Sequence, residues 1–312
     1  MEVIFNIQPM PAWDWRIAVD LFFGGMGVGT FIFALVADWH FQGRYPRLCR
    51  TAARLSPVLV IVGLLFLMSE LGRPFSFFKV FLTYQPDSVI WWGGWLQTIF
   101  LFGSLYYAKG WDAPVLDSSH RVLGWLLSPV ALGVGAYHGF LLSAFETRAL
   151  WSSGSTVAAS MLSFITTGMA LTLLVYLYQR RSEGSSAHKG FDSLVEEMGA
   201  VRTLLGVALI AELVVFFVWY LALKQGDAAD QAALAAANAL FAIPFWALGI
   251  GLGLILPLML GIYFILNRSK LSFSAEMNSV FLTSSLILIG GFVIRLGIVL
   301  GGQGAPIILS LG

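Results

Sequence analysis

An all-α membrane protein, a polytopic bundle of about eight transmembrane helices, is the fold class that this chain of 312 residues predicts, on three observations. About eight apolar runs are each long enough to cross a hydrocarbon core of roughly 30 Å, which takes about 20 helical residues. Hydrophobic residues make up 58% of the chain and charged ones only 11%, too few to dress the surface of a soluble domain of this size. The 18 lysines and arginines are also sorted, falling mostly into four clusters between alternate runs.

The first run, 17–38, opens with Asp20 and continues through Gly24, Gly25, Gly27 and Gly29. No strand precedes these glycines, so a phosphate-binding loop is excluded and close helix packing through small residues is the reading. The second run, 53–71, carries Pro57 and ends on Glu70; the third, 89–108, begins with Trp91, Trp92 and Trp95. The fourth, 121–143, holds Pro129, Tyr137 and His138, and the fifth covers 156–178. Glu212 lies inside the sixth, 203–223, while Pro244 and Pro257 mark first turns or kinks of the seventh, 244–266. Arg295 lies about two-thirds of the way along the eighth, 279–300.

Between the fifth and sixth runs, 179–202 reads as a polar linker dividing five spans from three. Its part Phe191–Met198 fits either a short interfacial helix or an exposed linker helix. The alanine-rich stretch 225–243 predicts a helix over the mouth of the bundle. No soluble domain interrupts the runs, so 1–312 forms one integral membrane domain, and its N-terminus lacks the marks of a cleaved signal peptide.

Orientation follows from the basic residues. Arg44, Arg47, Arg50 and Arg54 lie between the first two runs or at their edge, Lys109 and Arg121 likewise for the third and fourth, Arg180, Arg181, Lys189 and Arg202 between the fifth and sixth, and Arg268 and Lys270 between the last two. Loops so rich in Lys and Arg are cytoplasmic, which puts both termini outside. Trp13, Trp15, Trp91, Trp92, Trp95, Trp151 and Trp246 then form an outer aromatic belt.

Several chemistries are excluded. Cys49, in the first cytoplasmic loop, is the single cysteine and can neither close a disulfide nor hold an iron–sulfur cluster. His40, His120 and His188 fall in or beside cytoplasmic loops, leaving His138 alone within a span, whereas a transmembrane b-type haem takes two axial histidines. No haem, cluster or metal is therefore expected in this chain. A formal charge of +1 with no basic stripe argues against nucleic acid.

Ionisable groups inside spans cost at least about 2.5–3.5 kcal/mol to insert, so their positions point to function. Asp20, Glu70, Arg73, His138, Glu146 and Arg148 share the outer ends, Glu212 and Arg295 lie deeper, and only Asp38 belongs to the inner half. Each also has a structural reading. Asp20 suits the positive N-terminal end of its helix, Glu70/Arg73 and Glu146/Arg148 suit local ion pairs, and Glu212 and Arg295 suit pairing across helices. His138 fits a satisfied core histidine, yet an imidazole beside the Tyr137 phenol also suits quinone carbonyl chemistry.

Local motifs in this order resemble the NrfD/PsrC family, the integral membrane subunits of polysulfide reductase-like respiratory complexes. They are the Gly-rich first helix after Asp20, Glu70-Leu71-Gly72-Arg73-Pro74, Pro86 through Gly93, Tyr137-His138-Gly139-Phe140-Leu141-Leu142 and Gly290 through Arg295. The resemblance implies a subunit of the bacterial inner membrane that binds menaquinone or ubiquinone near the outer face. It also implies electron exchange between the quinone pool and a periplasmic iron–sulfur protein serving a molybdopterin catalytic subunit. Tyr137 maps onto the family tyrosine near the quinone head group; the first-helix histidine of some members is missing, and Asp20 or His138 stands as its substitute. Asp20, Glu70, Tyr137 and His138 are the expected catalytic groups, with Arg73, Glu146, Arg148 and Arg295 completing the binding set. A secondary transporter and a passive membrane anchor are the rival readings, the first opposed by the one-sided distribution of buried charge.

Overall fold

The computed structural model describes residues 13–70, 74–113, 118–143, 149–152, 154–182, 191–267 and 273–303. They form helices α1 (Trp15–His40), α2 (Pro46–Glu70), α3 (Lys79–Leu82), α4 (Val89–Gly110), α5 (Ser118–Ser143), α6 (Ala149–Ser152) and α7 (Gly154–Ser182). After these come α8 (Phe191–Gln225), α9 (Ala228–Ala242), a π-helical segment Ile243–Ile255, α10 (Leu256–Leu266) and α11 (Phe273–Gly301). A short 3₁₀ turn, Pro74–Ser76, precedes α3. Among the described residues, seven helical stretches are long and apolar enough to cross a membrane. The third expected span coincides with the 22-residue α4, which is not among those seven. The protein is an all-α, multi-pass protein of the inner membrane.

Helix starts follow local chemistry. Asp14 caps α1 by accepting from the Arg16 amide at 2.7 Å. Ser88 caps α4, and Asp227 opens α9 with a capping box closed by Asp230. Pro57 and Pro129 sit inside α2 and α5, while Pro244 and Pro257 occupy first turns of the π segment and of α10.

Helix α1 runs through the middle of the bundle, packed against α2, α5, α7 and α11. Its glycines make this possible. An added Cβ would overlap the Phe164 ring at Gly25 and the Phe164 carbonyl at Gly29, both on α7, while at Gly27 it would lie 2.7 Å from Val60 and 2.9 Å from the Ser56 carbonyl on α2. Small-residue packing, rather than phosphate binding, is what the glycines do. The last three spans associate around α11, where Gly253 and Gly290 bring backbones together.

Several expectations need correcting. The stretch 179–202 is not a linker throughout: α7 extends to Ser182 and α8 already begins at Phe191, continuous with its span. Met198 is accordingly core, not an interfacial contact. Helix α9 forms as expected but continues directly into the seventh span, because Ile243 keeps helical backbone angles. Cys49 lies in α2 and is buried, and Trp151 is a core residue whose indole donates to the Ile298 carbonyl at 2.8 Å. Trp15, Trp92 and Trp95 are exposed near one end of the bundle, and Trp39 and Trp125 near the other. At the Trp15 end the Gln303 amide donates to the Trp13 carbonyl at 2.6 Å, so the two ends of the described chain share a face.

Candidate functional site

Arg16, Asp20 and Gly24 recur at four-residue spacing on α1, which places them on one face, one turn above the next. At the mouth, Arg16 grips Glu70 of α2 at 2.8 Å and Asp14 at 2.7 Å, and donates to the Ser69 carbonyl at 2.6 Å. Burial works against the charge on Asp14, but hydrogen bonds from the Arg16 side chain and backbone outweigh it and hold that carboxyl below its ordinary range. Glu70 is thus committed to Arg16 and closes the α1/α2 seam.

One turn inward, Asp20 is completely buried, and among the described residues neither of its oxygens has a hydrogen-bond donor. It is no helix cap; Asp14 holds that position. Gly24 and Gly63 crowd against it. A Cβ on Gly63 would lie 3.0 Å from Asp20 Oδ1, and one on Gly24 would lie 3.5 Å from Oδ1 and 3.0 Å from His138 Nε2. The glycines thus keep open a narrow polar gap between a carboxyl and an imidazole. Burying such a group unpaired is expensive, which marks the gap as more than packing.

Helix α5 supplies His138 and Tyr137, both buried. His138 Nε2 faces Gln97 Nε2 of α4 at 3.5 Å. The Tyr137 ring rests where Gly93 of α4 has no side chain, since a Cβ there would overlap it. Beyond His138, the Phe164 ring stands edge-on at 5.6 Å, and Arg295 of α11 lies over Phe164 at 4.8 Å and over Phe22 at 5.2 Å. Arg295 Nη1 donates to the Gly291 carbonyl at 2.8 Å, while Nε and Nη2 have no acceptor among the described residues. Glu212 accepts from the Thr166 hydroxyl at 2.6 Å and interacts electrostatically with Arg295 without a close ion pair among the described contacts.

Residues 2–306 match the sequence signature of the family described as "Polysulphide reductase, NrfD". Protein NrfD of Escherichia coli K12 is 29% identical over 93% of this chain and 95% of its own length. A polysulfide reductase chain of Wolinella succinogenes is 26% identical over 93% and 94%. A selenate reductase subunit of Mesobacillus selenatarsenatis is 23% identical over 66% of this chain and 57% of its own. The chain belongs to the NrfD polysulphide reductase family.

Of the family-like motifs, the structure gathers three. The Gly-rich first helix supplies Asp20 and Gly24, the segment Pro86 to Gly93 delivers the glycine under Tyr137, and the α5 motif supplies Tyr137 and His138. Arg295, from the last motif, stands one ring away behind Phe164. Glu70 is not beside them but at the mouth, tied to Arg16. Arg73, Glu146 and Arg148 lie outside the described residues. Gln97 and Phe164 join the site although a lone glutamine or phenylalanine in an apolar run carries no sequence signal.

The expected one-sidedness of buried charge does not hold. Toward the basic end, Arg121 pairs with Asp38 at 2.9 Å, Tyr176 donates to Glu197 at 2.9 Å, and Arg202 pairs with Glu276 at 3.0 Å. Glu197, Arg202 and Glu276 are buried. Helical extensions of α8 and α11 carry them into the bundle from stretches whose sequence reads as loop.

Proposed function

We propose that this chain is the membrane subunit of a respiratory oxidoreductase and that it binds a quinone or quinol between α1, α2, α4 and α5. The carrying observation is the Asp20 carboxyl, buried without a donor and separated from His138 only by the gap that Gly24 maintains. These residues fit a quinoid ligand: Tyr137 offers a hydroxyl, Gln97 an amide, His138 an imidazole and Asp20 an acceptor, within apolar walls. A bound quinol would supply two electrons and two protons. Asp20 and His138 are the groups here able to hold a proton, while Tyr137 and Gln97 orient carbonyl oxygens. Arg16 and Glu70 lie between Asp20 and the aqueous boundary, on a route for proton release. The names of the polysulfide and selenate reductase relatives support a complex in which electrons pass to a periplasmic iron–sulfur protein and a molybdopterin catalytic subunit.

Tyr137→Phe and His138→Ala test this reading. Each is expected to slow quinol turnover by roughly 10²-fold or more, the scale of a lost acid–base or positioning group, while the complex still assembles. Unchanged quinol kinetics in both variants would favour the passive anchor. Transport is a second reading, favoured by the buried Glu197, Arg202 and Glu276 at the opposite end from Asp20. Uptake of a solute or ion into vesicles holding this protein by itself would support it.

A further inference from the structure

Asp20, Gln97, Tyr137 and His138 are buried, each no more than 4% exposed. A ligand reaches Tyr137 only if a wall moves. The segment from Pro74 to Ser88 bridges α2 and α4 and carries α3. Its C-terminal end is tied to α4 by the Trp92 indole, which donates to the Pro86 carbonyl at 2.8 Å, whereas the hold of Phe75–Tyr84 is apolar. Val80 and Phe81 rest on Gly94, where an added Cβ would meet them at 3.3 and 3.5 Å; Phe81 packs on Trp95 and Tyr84 on Trp91 at ring separations of 5.2 and 5.5 Å. Adjacent glycines of α4 therefore seat the segment and the site: Gly94 takes Val80 and Phe81, and Gly93 takes Tyr137.

The opposite face of the segment is bare. Phe75 is 91% exposed, and Phe77, Phe78 and Leu82 are exposed with it. These side chains continue the exposed stripe Trp92, Trp95, Ile99, Phe102 and Tyr106, whose spacing of three and four residues marks the lipid-facing side of α4. Water is a poor neighbour for so many rings, whereas the boundary between acyl chains and headgroups suits them. Continuity with the lipid face of α4 identifies the bilayer as what covers them.

We propose that Phe75–Tyr84 is an aromatic lid seated in the membrane interface, which lifts from Gly94 to admit a lipid-soluble ligand to Tyr137 from the bilayer side. The identity of that ligand as a quinone rests on the function proposed above; the membrane seat does not. Both halves are tested on the full-length protein in phosphatidylcholine/phosphatidylglycerol vesicles, with Cys49→Ser to leave only introduced thiols. Val80→Cys with Gly94→Cys, cross-linked by copper phenanthroline, should slow association of a fluorescent hydroxyquinoline N-oxide roughly tenfold or more, with recovery on adding dithiothreitol. Equal rates in the oxidised and reduced forms would overturn the gate. Failure of this quinone analogue to bind the unmodified protein would instead overturn the quinone reading. Nitroxides at positions 75 and 82 decide the seat. They should collide with oxygen in preference to a water-soluble nickel chelate, as a label at Phe102 does, and accessibility matching a label at Asp87 would overturn the lid's placement.

Discussion

Gly25 and Gly29 stand one turn apart on α1 and meet the same residue of α7 in different ways. Gly25 opposes the Phe164 ring, which can rotate; Gly29 opposes the Phe164 backbone, which cannot without separating the helices. Gly29→Ala should therefore destabilise the protein by about 1–3 kcal/mol, the usual range for overpacking. Gly135→Ala is the control, because a Cβ there would make only ordinary contacts at 3.7 Å, and the gain in helix propensity should leave it neutral or slightly stabilised. Thermal unfolding of the two purified variants checks this, and equal melting temperatures would contradict it. At this scale sequence reasoning reads charges well and shape poorly. Asp20 and His138 are conspicuous because ionisable groups are rare in spans, whereas Gly63, Gly93 and Gln97 acquire meaning only from what crosses them. Glu70 is conspicuous for the same reason as Asp20, but sequence does not say that Arg16, the residue that occupies it, lies 54 positions away across a helix seam.

Among the elements, α8 and α11 depart furthest from a reading by hydropathy alone. Each extends beyond its apolar run at the basic end, and there Arg202 and Glu276 form a pair enclosed by Ser279, at 2.7 Å from Arg202, and by the Phe264 ring at 5.2 Å. A charge pair so enclosed gives little net stability, yet breaking it is costly because the survivor stays buried. Arg202→Met alone should destabilise by about 3–5 kcal/mol, whereas Arg202→Met with Glu276→Leu should recover most of that loss. Additive losses in thermal unfolding would mean that the two residues act separately. Hydropathy places the long helices because lipid imposes a length on them, but it cannot see this extension. Polar residues that terminate an apolar run do not terminate a helix when a neighbouring helix satisfies them.

For the molecule as a whole, function depends on which end faces which compartment. Antiparallel helices gather Arg16, Glu70, Trp15, Trp92, Trp95 and Gln303 at one end, and the Asp38–Arg121, Arg44–Glu196 and Arg54–Asp112 pairs at the other. Pairing at the second end leaves the positive-inside signal intact, since that signal counts Lys and Arg rather than net charge. The end holding Arg44, Arg47, Arg50, Arg54, Arg180 and Arg181 should therefore be cytoplasmic, and Asp20 and Tyr137 should open toward the other side. Alkaline phosphatase fused after Gly312 should be active and a green fluorescent protein fused there dark, whereas fusions after Ser182 should show the reverse. A fluorescent C-terminal fusion would invert the topology and move the proposed ligand site to the cytoplasmic leaflet. Replacing Arg44, Arg47, Arg50 and Arg54 with glutamine should weaken the bias and yield a mixed population, because those four carry the signal nearest the first span.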